Sequence, residues 1–119
     1  MVNFFLVFLG GGLGSICRYG IARIITNHLD PFPFATFIAN VLSCILLGFL
    51  VGLSLKGTMN QNYKLLLITG FCGGFSTFST FSNETFHLFQ SGNVAYAMAN
   101  IGASLLVCLF CIYLGLKLT

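Results

Sequence analysis

The sequence predicts an all-α membrane protein of four transmembrane helices, and three observations carry that prediction. Of 119 residues, 57% are hydrophobic and only 6% charged, whereas soluble domains carry about 25% charged residues. The apolar residues fall into four runs, near 2–25, 34–55, 65–90 and 94–118, each long enough for the roughly 20 residues that cross a hydrocarbon core. Short polar links separate the runs, so residues 1–119 read as one four-span membrane domain with no room for a separate soluble one. The five Lys and Arg residues give a net charge of +3 but form no patch, which removes nucleic acid as a partner.

The first segment opens on Phe and Leu, passes through GGGLGS at 10–15 and ends with Arg18 and Arg23. Gly10 and Gly14 are four apart, as are Gly11 and Ser15, a spacing that lets another backbone approach closely. Arg18 lies within the apolar run, where a guanidinium costs on the order of 3 kcal/mol at mid-membrane. Two readings fit it: a side chain facing an aqueous vestibule, whose field attracts an anion, or an anchor at the membrane interface. The run lacks the charged lead and small-residue cleavage site of a signal peptide.

Asp30, Pro31 and Pro33 stop any helix in the first link, residues 27–33. In the second segment Thr36, Asn40 and Ser43 recur at spacings of four and three, which puts them on one face. A lone amide such as Asn40 is costly in hydrocarbon without a partner, so it is either interhelical glue or part of a hydrophilic track. Gly48 and Gly52 repeat the close-packing pattern.

A second link, KGTMNQNYK at 56–64, leads to the third segment. There the stretch TGFCGGFSTFSTFSNE at 69–84 holds three glycines, six hydroxyl residues and a carboxylate inside an apolar run. Gly70, Gly73 and Gly74 each cost roughly 1 kcal/mol against alanine in a helix interior, and Ser and Thr compete for backbone hydrogen bonds. The expectation is a helix broken near Gly73–Ser76. In hydrocarbon, broken backbone is tolerated only where it is buried in protein or lines a polar cavity, which indicates a transport element rather than an anchor. Beyond the break Phe78 and Phe81 share a face with Phe75 and Thr85, and Ser76, Ser79 and Thr80 alternate with them. Such a stripe either lines a path or packs between helices with its hydroxyls bonded to carbonyls four residues back. Glu84 and His87, three apart, are too few for a metal site and suit a membrane mouth better than a proton relay.

Residues 91–93 make the last turn. The fourth segment then carries Tyr96, Asn100 and Ser104 at successive spacings of four, a single polar stripe on an apolar helix. Of the cysteines, Cys17, Cys44, Cys72, Cys108 and Cys111, four fall deep in the spans, where cysteine behaves as a small hydrophobe. Cys108 and Cys111, three apart on one helix face, are too few for a metal site. With four spans, Lys56, Lys64 and Lys117 fall on one side and Arg18 and Arg23 towards the other. That near balance gives little positive-inside bias, so insertion both ways round and an antiparallel dimer follow naturally.

These residues together resemble the Fluc/CrcB family of fluoride channels. The similarity rests on GGGLGSICRY at 10–19, FPFATFIAN at 32–40, TGFCGGFSTFSTFSNE at 69–84 and, more loosely, the Asn100/Ser104 pattern, in an order that covers essentially the whole chain. Phe34-Ala35 stands where the family usually has a glycine-containing pair, and Ser76 where threonine is common. The resemblance implies an antiparallel, dual-topology homodimer in the cell membrane with two parallel fluoride pores. It implies that Phe78 and Phe81 form the ring box, that Asn40 donates its amide to the ion, and that Ser79 and Thr80 add hydroxyls. Tyr96, Asn100 and Ser104 match the family's polar track, with Thr36 a weaker candidate. Arg18 corresponds to an inner vestibule and Glu84 to the outer part of the track. The resemblance also implies a structural sodium ion (Na+) at the dimer centre, held by the backbone carbonyls of Gly73 and Ser76 from both subunits.

The chemistry agrees with that implication. Fluoride is small and strongly hydrated, so a pore must replace its water with hydrogen-bond donors. Hydroxyls and amides donate without the trap of a fixed lysine, and the positive edge of a phenyl ring contacts an anion weakly. Neutral hydrogen fluoride crosses membranes and loses its proton in a less acidic cytoplasm, so the anion accumulates. A passive channel lets the membrane potential, about 2.3 kcal/mol per charge per 100 mV, drive it out. The alternative of a small proton-coupled multidrug exporter requires a carboxylate in the first helix, and that segment has none. An assembly subunit with merely adhesive polar faces is the other rival. An enzyme fits least, because Glu84 and His87 lack a nucleophile–base–orienter set.

Overall fold

The computed structural model describes residues 1–25 and 30–119. Residues 27–29 of the expected first link lie outside that set. The described residues form α1 (Val2–Ile24), α2 (Phe34–Leu55), α3 (Gln61–Tyr63), a π-helical stretch π1 (Lys64–Cys72), α4 (Gly73–Phe75), α5 (Phe78–Gln90) and α6 (Val94–Lys117). Four spans are long and apolar enough to cross a membrane: Val2–Ile24, Phe34–Leu55, Gln61–Gln90 and Val94–Lys117. The third therefore starts earlier than the hydropathy suggests. Asn60 caps it, its side chain accepting the Tyr63 N–H at 3.0 Å, and this recruits Gln61–Tyr63 from the polar link.

The turns follow their residues. Gly57 and Gly92 take positive φ, 75° and 84°. At the end of α5 the Asn93 N–H donates to the Leu88 carbonyl and the Gly92 N–H to that of Phe89, the paired bonds of a Schellman ending. At the end of α2 the Thr58 and Gly57 N–H groups reach Leu53 and Ser54 in the same way.

Small residues set the packing. A Cβ added at Gly10 would overlap the Leu66 carbonyl oxygen, one at Gly14 that of Phe71, and one at Gly74 that of Gly11. The register rises together along both elements, so α1 lies parallel to π1–α4 at backbone contact. Likewise Gly48 faces Ile112, Gly52 faces Thr119 and Gly115 faces Ile45, which sets α2 parallel to α6. The Lys56 ammonium donates to the Thr119 carbonyl at the same end of that pair. Ser43 joins the two pairs, its hydroxyl donating to the Cys72 carbonyl at 3.3 Å. Without a hydrophobic drive between helices in lipid, such contacts and interhelical hydrogen bonds supply the association.

Candidate functional site

The winding of the third span pauses at two residues. Ser76 (φ −84°, ψ 156°) and Thr77 (φ −148°, ψ 123°) are extended, and α5 begins at Phe78. Gly73, expected to weaken the helix here, keeps helical angles of φ −64° and ψ −33°. Hydrogen bonds instead compensate the pause. Ser76 returns its hydroxyl to the Cys72 carbonyl at 2.9 Å. Thr77 caps α5, its Oγ1 accepting the Thr80 N–H at 3.2 Å. The Thr77 N–H, which a continuous helix would aim at the Gly73 carbonyl, donates to Asn40 Oδ1 at 2.9 Å. Asn40 Nδ2 in turn donates to the Thr77 carbonyl at 3.3 Å. A single amide on α2 thus holds both backbone groups of one extended residue and keeps one further N–H to offer.

From the other side, Arg18 Nε donates to the Gly74 carbonyl at 3.1 Å, with the Ser15 hydroxyl at 3.5 Å from the same oxygen. The guanidinium therefore sits against the C-terminal end of α4, where a cation meets the negative end of the helix. It is half-buried.

A hydrogen-bonded file runs from α5 to α6. The Thr85 hydroxyl donates to the Phe81 carbonyl at 2.8 Å, Asn100 Nδ2 donates to Thr85 Oγ1 at 2.9 Å, and Ser104 donates to Asn100 Oδ1 at 3.2 Å. Thr85, Asn100 and Ser104 are all buried. Thr36 is buried too, and Glu84 Oε1 is buried with no partner among the described residues. Tyr96, one turn before Asn100, is 41% exposed and stands outside this file. Ser79 is exposed, its hydroxyl 3.4 Å from that of Thr77.

These elements line an open-sided groove of about 260 Å³ whose walls include Asn40, Ser76, Thr77, Phe78, Phe81 and Ser104. The Phe78 and Phe81 rings are tilted by 41° with centroids 5.9 Å apart. Phe78 is 79% exposed, so one chain alone leaves this ring uncovered. Of the residues singled out from the sequence, Asn40, Ser76, Phe78, Phe81 and Ser104 meet at the cavity. Thr77, Thr85 and Ser43 were not singled out as site residues. A Thr just ahead of a helical run is an N-cap signal, which could have found Thr77. Thr85 and Ser43 declare themselves only through partners on other helices.

A family model described as "CrcB-like protein, Camphor Resistance (CrcB)" matches residues 5–116. A protein of Azobacteroides pseudotrichonymphae named "Fluoride-specific ion channel FluC" is 48% identical over 103 residues, covering 82% of each chain. A Pyrococcus horikoshii protein of the same name is 45% identical, covering 92% of this chain and 89% of its own. One from Flavobacterium psychrophilum is 40% identical, covering 98% and 95%.

Proposed function

The chain belongs to the CrcB-like family, and from that membership we propose that it is a fluoride-selective ion channel, not an enzyme. It lets cytoplasmic fluoride leave passively and so protects against fluoride toxicity. The observation that carries the reading is a groove in which an amide, hydroxyls and two phenyl rings converge between apolar helices. Asn40, already fixed by Thr77, offers its remaining N–H to an anion without reorganising. Ser104 lines the groove with its O–H turned back to Asn100 Oδ1, so it reaches the ion by exchanging that bond, and Ser79 and Thr80 add donors beside Phe78 and Phe81. Donors replace the hydration shell while ring edges hold the ion weakly enough to release it. Glu84 belongs to the outer part of this track, Thr36 and the more exposed Tyr96 are its weaker candidates, and Arg18 belongs to the inner vestibule.

The working unit is an antiparallel, dual-topology homodimer in the cell membrane. Its support is the open side of the groove, the uncovered Phe78 ring and the near balance of Lys and Arg between the two faces. The third span works as a discontinuous helix, with its pause at the dimer centre. Gly73 and Ser76 fit one half of a sodium site there. The Gly73 carbonyl loses its helical donor to Asn40, and the space beside Gly73 is open to beyond 4 Å. Two carbonyls from one chain are too few for a cation, and a second copy supplies two more. Such hard oxygens suit Na+, whose charge would hold the two paused backbones together.

The test is reconstitution into liposomes and fluoride-electrode measurement of efflux, with chloride as control. Fluoride efflux with chloride retained is the expected result. Proton-driven export of a lipophilic cation without fluoride flux would replace this reading with an exporter.

A further inference from the structure

Two thiols lie on the same groove and play no part in the file of donors. Cys44 on α2 and Cys108 on α6 both line the cavity that Asn40, Phe78, Phe81 and Ser104 line. The parallel register that sets Gly48 against Ile112 puts Cys44 and Cys108 opposite each other one turn earlier. Neither is disulfide-bonded, and each is part-exposed rather than sealed in the core, unlike Cys72 and Cys111.

The geometry points to a two-sulfur site for a soft, linearly coordinating divalent cation at Cys44 and Cys108, through which such a metal closes the groove. Thiolate sulfur selects soft ions, and zinc sites need four ligands. Among the described residues no group of three or more His, Cys, Asp or Glu is placed to hold a metal. A pair therefore selects an ion content with two ligands, and charge decides which. Two thiolates with a divalent ion make a neutral complex, the form that apolar surroundings tolerate, whereas a monovalent ion leaves a net negative charge. Mercuric ion meets both conditions. In the binding step two S–H bonds break, two Hg–S bonds form and two protons leave to water. The product ties α2 to α6 beside the Phe78 and Phe81 rings and fills space through which an anion would pass.

The metal-binding arm is independent of the proposed fluoride function, while the flux arm rests on it. The probe is mercuric nitrate in chloride-free buffer, added to the full-length protein carrying Cys17→Ser to remove the exposed thiol. After washing with a competing monothiol, about one Hg2+ per chain should remain, with a thiolate–mercury ultraviolet band. Cys44→Ser and Cys108→Ser should each lose the retained metal, and Cys111→Ser should keep it. Alanine replacements at 44 and 108, with a size-exclusion profile for each variant, separate site loss from misfolding. In liposomes mercury should slow fluoride efflux roughly tenfold or more, and Cys44→Ser should abolish that sensitivity. Retention that survives Cys44→Ser but not Cys111→Ser would assign the metal to Cys108 and Cys111 and overturn the site. Full retention with unchanged efflux would overturn the control of the groove. Absence of fluoride flux before any metal is added would sink the channel reading and leave the binding result standing.

Discussion

Asn40 has two tasks that ordinary substitutions separate. Its Oδ1 accepts the Thr77 N–H and its Nδ2 donates to the Thr77 carbonyl. In Asn40→Asp the first bond survives, while a carboxylate oxygen faces the Thr77 carbonyl and a negative charge stands on the path proposed above for the anion. Fluoride efflux should fall to the liposome background, and unfolding should become easier by about 1–3 kcal/mol, the usual cost of an unpaired buried polar group. Full conduction in this variant would remove Asn40 from the path. Phe81→Ile keeps apolar volume but removes the ring edge, so efflux should drop sharply while the size-exclusion profile stays unchanged. Unchanged flux there would take the ring-lined groove out of the mechanism. At Thr77 the side chain caps α5 and also lies 3.4 Å from the Ser79 hydroxyl. Thr77→Ala should cost about 1 kcal/mol and Thr77→Ser far less, readable as melting temperatures in detergent.

At the scale of the element, the third span shows what the sequence could and could not disclose. The apolar runs announce four helices because hydrocarbon thickness fixes their length. The stretch at 69–84 is marked as special by its composition alone. Yet the glycines predicted to weaken the helix are helical, and two of them serve packing instead: Gly74 lets the Gly11 carbonyl approach, and Gly70 lies against Gly10 and the Val7 carbonyl. The extended residues are Ser76 and Thr77; their bonds to Cys72 and Thr80 are local, but the Asn40 amide that holds both backbone groups of Thr77 is one that no local spacing reveals. The π-helical winding of Lys64–Cys72 was equally hidden, since an i→i+5 ladder has no hydrophobic period distinct from its α-helical neighbours. Asn100 and Ser104 could be read as a stripe, but their links to Thr85 required the third dimension. The packing role of the glycines is testable by contrast. Gly74→Ala forces a Cβ into the Gly11 carbonyl and should destabilise by about 1–3 kcal/mol. Gly12 meets nothing within 4 Å, so Gly12→Ala should be neutral or stabilising by up to about 1 kcal/mol. Equal melting temperatures for the two variants would contradict the backbone contact between α1 and α4.

For the whole molecule, the decisive quantity is the distribution of positive charge. Lys56, Lys64 and Lys117 mark one face, and Arg18 and Arg23 lie towards the other. Orientation follows the Lys and Arg bias of short loops, and three against two is a small bias, as the antiparallel dimer proposed above requires. The bias can be pushed in both directions without touching the groove. Gln61→Lys with Asn62→Lys makes it five against two. Lys64→Gln and Lys117→Gln with Gln90→Lys reverse it. Each variant expressed alone should adopt one orientation, as read by tagged-terminus accessibility, and should give little fluoride efflux. Co-expression should restore both the dimer and the flux, because each orientation supplies the partner that the other lacks. In the proposed dimer the same pairing would set a sodium requirement, since one chain alone offers only the carbonyls of Gly73 and Ser76. Sodium-free buffer should therefore lower the melting temperature and the flux of the restored pair together. If either charge variant conducted by itself as well as the parent, the open side of the groove would have to be closed by something other than an inverted copy. The carbonyls of Gly73 and Ser76 would then have no counterpart across a two-fold axis, and sodium removal should leave flux unchanged.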